Sequence, residues 1–127
     1  MNISIKLCEH IRERIIPQYV NFDKAHRIDH VEKVIEESMK LALHYEVNSA
    51  MVYTIAAYHD LGLCEGREFH HIVSGKILFA DETLRQWFID DQMLQMKEAI
   101  EDHRASNKQA PRSIYGKIVA EADRIID

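Results

Sequence analysis

Glycine and proline are scarce, at four and two in 127 residues. Sheet-rich domains need turn residues far more often, so the expectation is helices joined by short connections. Cysteine is as thin: Cys8 and Cys64 make no CxxC pair and no disulfide framework, which removes thiolate metal sites and disulfide-stapled secreted domains and favours a reducing cytoplasm. No uncharged run approaches the roughly 18 residues of a membrane span. Residues 1–16 carry Lys6, Glu9, Arg12, Glu13 and Arg14 where a signal peptide would be apolar, so neither a membrane nor secretion is expected. Positive charge is in deficit, with 16 Lys+Arg against 21 Asp+Glu and a net charge of −5. That gives no support to binding of nucleic-acid polymers. It leaves room for a nucleotide substrate, because a metal and a few local cations can handle phosphate.

What the chain has is apolar content in helical rhythm. At 46% hydrophobic, 127 residues can enclose one core, so residues 1–127 read as one all-α domain. Ile3, Leu7, Ile11 and Ile15 recur at i+4, and Pro17 then disturbs or ends that helix. A second helix is expected from about Asp29 to Tyr45, with Val31, Val34, Ile35, Ser38, Leu41 and Ala42 inward. Asn48 or Ser49 caps a third, apolar all round from Ala50 to Leu61 and stopped by Gly62, which marks it as central. After a polar loop, a fourth helix carries His70 to Phe79, and a short one spans about Glu82–Phe88. Asp90-Asp91 caps the next, on which Met93, Met96, Ile100 and His103 share a face. Pro111 and Ser113 open the last helix, Ile114 to Ile126. Six or seven helices with short connections predict an antiparallel packed bundle. The chain ends at Asp127 without a glycine cap, so the last helix either frays there or continues into a C-terminal extension.

Against this apolar background stands the adjacent pair His59-Asp60, between a lone His30 and a downstream Asp123. A buried histidine and aspartate are each costly unless satisfied, and one metal ion satisfies both. His71 and His103 fall between the pair and Asp123. Six nitrogen and oxygen donors suffice for one or two ions, and the pattern points to metal-dependent hydrolysis of a phosphate ester or anhydride. Imidazoles and carboxylates without thiolate leave Fe, Mn, Co, Ni, Mg or Zn open. A single inward histidine is more often a hydrogen-bonded core residue than a ligand, and spacing alone leaves that reading open.

The segments AHRIDHVEKV, IAAYHDLG, FHHIVSGKIL, AIEDHRAS and IYGKIVAEADRI, over roughly residues 22–127, resemble in order the motifs of the HD-domain phosphohydrolase superfamily. That resemblance implies His30, His59, Asp60 and Asp123 as primary metal ligands. In dinuclear branches two further histidines bind a second ion and the aspartate of the pair bridges. His71 and His103 stand where those belong, with His70 the competitor of His71; the Ser74-Gly75 that follows favours His71. The fit resembles the diadenosine tetraphosphate hydrolase branch. It departs from the HD-GYP cyclic-dinucleotide phosphodiesterases, since Leu61-Gly62-Leu63 follows the pair and no GYP triplet appears.

By this reading the protein is a cytoplasmic phosphohydrolase acting on a nucleotide or similar small phosphorylated metabolite, its metals lowering the pKa of a bound water. Asp60 is expected to be catalytic, with His26 orienting substrate or donating a proton. Arg67, Arg104 and Lys76 are the candidates to hold phosphate. His10 and His44 read as surface residues, and Trp87 and Phe88 as packing. The alternatives are a nucleoside or dinucleoside polyphosphate hydrolase, a non-catalytic metal or nucleotide sensor, and a purely structural helical domain.

Overall fold

A computed structural model describes residues 3–22, 28–104 and 109–126. Among these there is no strand, and six α-helices carry the fold: α1 (Ile5–His10), α2 (Ile28–Ala42), α3 (Ser49–Tyr58), α4 (His70–Ala80), α5 (Asp90–Asp102) and α6 (Ile114–Ile126). The all-α expectation holds. The first helical stretch does not stop at Pro17. It widens into a π turn over Ile11–Ile15 and tightens into a 3-10 segment over Ile16–Asn21. Proline is tolerated at the first positions of such a segment because its missing N–H has no partner to lose there.

Helix α3 is the centre of the bundle. Asn48 caps it by accepting a hydrogen bond from the Met51 amide at 3.2 Å, and Met51, Val52, Thr54, Ile55, Ala56, Ala57 and Tyr58 are all buried. Helix α2 packs on α3 and α6, α5 packs on α4 and α6, and all but α1 enclose α3. The inward stripe of α2 is as expected, with His30, Val31, Val34, Ser38 and Ala42 buried. The helix nevertheless ends at Ala42, where that stripe runs out, and Leu43 and Tyr45 lie exposed beyond it.

Two boundaries differ in ways that matter for the site. Helix α3 ends at Tyr58, not Leu61, and Gly62 is not its stop; it lies within a short 3-10 segment, Leu61–Glu65. Its φ is not positive, which among the described glycines belongs to Gly66 alone. Glycine is required at 62 by space: a Cβ there would stand 2.2 Å from the His70 carbonyl oxygen and 2.6 Å from the Ser74 nitrogen. At α5 the helix opens after Ile89, and Asp90 and Asp91 occupy its first turn, where their charge suits the amide-rich end.

His10 is not a surface residue. Its Nε2 lies 2.9 Å from Asp81 Oδ2, and the Tyr58 hydroxyl donates to the same carboxylate oxygen at 2.5 Å. This triad ties α1, α3 and the C-terminal end of α4 together. His44 is exposed, and Phe88 is buried with Trp87 packed against the same core.

Candidate metal centre

The polar residues converge where four helices meet the end of α3. His30 comes from the first turn of α2, His59 is the C-cap of α3, Asp60 follows it, and Asp123 lies in the last turn of α6. One ligand atom from each lies within 4.8 Å of every other. His30 Nε2 is 3.3 Å from Asp123 Oδ1 and 3.8 Å from Asp60 Oδ2; His59 Nε2 is 3.1 Å from the same Asp60 oxygen.

Asp60 turns its other oxygen to a second group. Oδ1 is 3.2 Å from His70 Nε2 and 3.5 Å from His103 Nε2, and these three residues also bring ligand atoms within 4.8 Å of one another. One carboxylate thus faces two donor sets, one oxygen to each. The pair His59-Asp60 can share this centre because α3 has already ended: Asp60 has φ −116° and ψ 9°, outside the helical region, so the roughly 100° divergence of helical neighbours does not apply.

Of the two adjacent histidines, the structure brings His70 to Asp60, and not the expected His71. The phasing of α4 is set by Ser74, whose Oγ accepts a hydrogen bond from the buried Gly62 amide at 2.7 Å. His70 lies one turn before Ser74 on the same face, so it points at Asp60. His71 instead lines a cavity of about 460 Å³ with Ile72, Glu101, Asp102, Gln109, Ala110 and Arg112. Burial, Arg104 and the neighbouring His70 and His103 hold its pKa below the ordinary value. Ser74 sits four residues after His70 and shares its face, but that it is Ser74 that meets Gly62 is decided by the tertiary contact alone.

The donor chemistry fits divalent ions. A carbonyl oxygen only accepts, so a ring nitrogen that faces one must carry the proton. His59 Nδ1 faces Ala56 O at 2.6 Å, His103 Nδ1 faces Ile100 O at 2.5 Å, and His70 Nδ1 faces Arg67 O at 2.9 Å. Each bond keeps the proton on Nδ1 and turns Nε2 toward Asp60, so that once its own proton is released it can face a metal. In addition, His59 Nε2 and Asp123 Oδ1 are buried and make no hydrogen bond among the described residues, though only 3.6 Å separates them.

Electrostatics agree. Burial disfavours charge on His59, yet the Asp60 and Asp123 carboxylates outweigh it and raise its pKa well above 6.5. Burial would likewise raise Asp60, but His59, His103 and His70 carry it well below 3.8. His30 and His59 lower Asp123 against the same penalty. Protons shared among these groups can be exchanged for a cation, which couples ion binding to proton release.

The remaining expected residues are scattered. Arg104 donates from Nη1 to the Glu68 carbonyl at 2.6 Å, which holds it beside the loop that precedes α4. Arg67 is exposed and lines a second hollow with Asn21, Phe22 and Leu63. Lys76 is exposed and lies about 120° round α4 from His70, so it is not brought to the centre. His26 lies outside the described residues. Tyr19 went unnoticed in the sequence: it is fully buried, and its hydroxyl donates to Ala57 O at 2.6 Å and accepts from the Asp60 amide at 3.3 Å.

Comparisons with known proteins bear on the family and the fold. The HD domain matches residues 27–126. A crystal structure of a predicted HD superfamily hydrolase from an uncultured Thermotogales bacterium has the same fold, with a TM-score of 0.74 at 22% identity. The alignment covers 94% of this chain and 66% of that one, so this chain spans less than two thirds of its length. No curated protein matches. With the ordered donors falling inside a match that takes in most of its length, the chain belongs to the HD-domain family.

Proposed function

We propose that this protein is a metal-dependent phosphohydrolase of a nucleotide or similar small phosphorylated metabolite, with a dinuclear centre held by His30, His59, Asp60 and Asp123 on one side and Asp60, His70 and His103 on the other. The observation that carries the reading is the division of Asp60, one oxygen toward each histidine set. Divalent ions in such a centre supply Lewis acidity toward phosphate oxygens and a water of lowered pKa.

The chain's own residues do the rest. The three Nδ1–H bonds to backbone carbonyls keep His59, His70 and His103 aimed without further reorganisation, so the cost of assembling the site is met in folding. Asp60 and Asp123 hold the negative charge that offsets the cations. Arg67 on the loop between the pair and α4, and Arg104, which reaches that loop from beyond α5 through Glu68 O, are the cations proposed to hold a phosphate. Lys76 has no part in this arrangement. An anionic substrate meets a protein of net charge −5, so local cations, not the overall field, must recruit it.

The test is elemental analysis of protein purified without added metal, followed by phosphate release from nucleoside mono-, di- and triphosphates and dinucleoside polyphosphates. Two ions per chain and a turnover that chelation abolishes are expected. Preference for the dinucleoside substrates would select the polyphosphate hydrolase. Metal and nucleotide binding without any turnover would make the protein a sensor, and a chain that takes up no metal would sink the proposal.

A further inference from the structure

The HD pair sits at a helix end, where backbone groups lose their helical partners. In this chain those groups are accounted for unusually. Ala56 O receives the His59 ring at 2.6 Å. Ala57 O receives the Tyr19 hydroxyl at 2.6 Å, and the same hydroxyl accepts the Asp60 N–H at 3.3 Å. Tyr19 comes from the 3-10 segment Ile16–Asn21, which precedes the region matched by the family. One phenol therefore bridges the last turn of α3 and Asp60, two residues beyond the helix, spanning the step at which the chain leaves it.

We propose that Tyr19 is a positioning residue for the metal centre: its hydroxyl fixes the turn that lets His59 and Asp60 face one point. The ring is fully buried and packs edge-on against Phe22 at 5.3 Å between centroids, so the hydroxyl has little freedom to leave. Without the bridge, Ala57 O and the Asp60 amide lose a buried partner, and the chain can regain hydrogen bonds only by turning the Asp60 peptide. That rotation moves the carboxylate on which both donor sets converge. Groups that orient ligands in this way typically carry a 10- to 100-fold effect on metal affinity.

This inference rests on the metal reading, and the experiment separates the two. Chelator-stripped wild type, Tyr19→Phe and Tyr58→Phe are titrated with Mn²⁺ by calorimetry, and the melting temperature of each metal-free protein is recorded. Tyr58 is the control because it is an equally buried tyrosine whose hydroxyl bonds Asp81, away from the donors. Tyr19→Phe should bind Mn²⁺ about 10- to 100-fold more weakly than wild type, while Tyr58→Phe should lose thermal stability and keep its Mn²⁺ affinity. Equal Mn²⁺ affinity in Tyr19→Phe and wild type, whatever the melting temperatures, would overturn the positioning role and leave the metal reading standing. Wild type that binds no Mn²⁺ would overturn both. If Tyr19→Phe does not fold, amide exchange in metal-free wild type decides. The Asp60 amide should be protected like the core of α3, and exchange at the rate of a surface amide would refute the bridge.

Discussion

Replacing Gly62 by alanine should be far more damaging than one methyl group suggests. The new Cβ would lie 2.2 Å from His70 O, 2.6 Å from Ser74 N and 2.8 Å from Ser74 Oγ, where real contacts stay above 3.0 Å. The first turn of α4 must therefore retreat from the 3-10 segment by about 0.8 Å. Overpacking of this kind costs about 1–3 kcal/mol. The retreat also stretches the Gly62 N–H to Ser74 Oγ bond, and leaving that buried amide unsatisfied costs about a further 1–3 kcal/mol. For a domain of this length the unfolding entropy is roughly 0.27 kcal/mol/K, so the melting temperature should fall by about 7–22 °C. The same movement carries His70 away from Asp60 Oδ1, so the second metal equivalent should be lost while the first remains. Thermal unfolding by circular dichroism and metal analysis read the two effects. Gly66→Ala is the reference: it strains the backbone at φ +103° but touches nothing within 4 Å, so it should lower stability and keep both ions. A Gly62→Ala protein that melts within about 3 °C of wild type and keeps both ions would refute the close-approach argument.

Metal counting should also separate the two adjacent histidines: His70→Ala is expected to lose one equivalent and His71→Ala to keep both, and the opposite result would return the ligand role to His71. In the metal-free protein, the raised pKa of His59 and His70 stabilises the fold fully below their ordinary value of 6.5 and is lost as pH rises through the folded values. The lowered pKa of Asp60 and Asp123 stabilises above their ordinary 3.8 and is lost as pH falls through the folded values. The metal-free melting temperature should therefore peak between about pH 4 and 6.5 and decline toward alkaline pH, whereas metal affinity should increase with pH as the imidazoles give up their protons; a metal-free protein that gains stability from pH 6.5 to 9 would contradict this. Arg112 bonds Glu101 and Asp102 from a half-exposed position, so Arg112→Ala should cost only about 0.5–1 kcal/mol in chemical denaturation, and a loss above about 2 kcal/mol would mean the network closes the α5–α6 connection.

The helices were legible because each buries a stripe with its own period. Val31, Val34 and Ser38 of α2, or Met93, Met96 and Ile100 of α5, declare their inward face without reference to any other element. His30, His59, Asp60 and Asp123 stood out as polar residues against an apolar background, but periodicity left their purpose open, and it was the ordered motifs of the family that implied a ligand set. The choice between His70 and His71 was not, since it turns on one hydrogen bond between Gly62 and Ser74, twelve residues apart, which sets the rotation of α4. Nor was the role of Gly62, which answers to the backbone of α4 and not to its own dihedral angles. Tyr19 lay hidden for the strongest reason: nothing near it in sequence is polar machinery, and its bond to Asp60 spans 41 residues. Periodicity is a local property of the chain, so the sequence by itself determined which faces are buried and which donor types lie on them. Register between elements is a property of packing, so only the tertiary structure decided which neighbour reaches the centre and what holds it there.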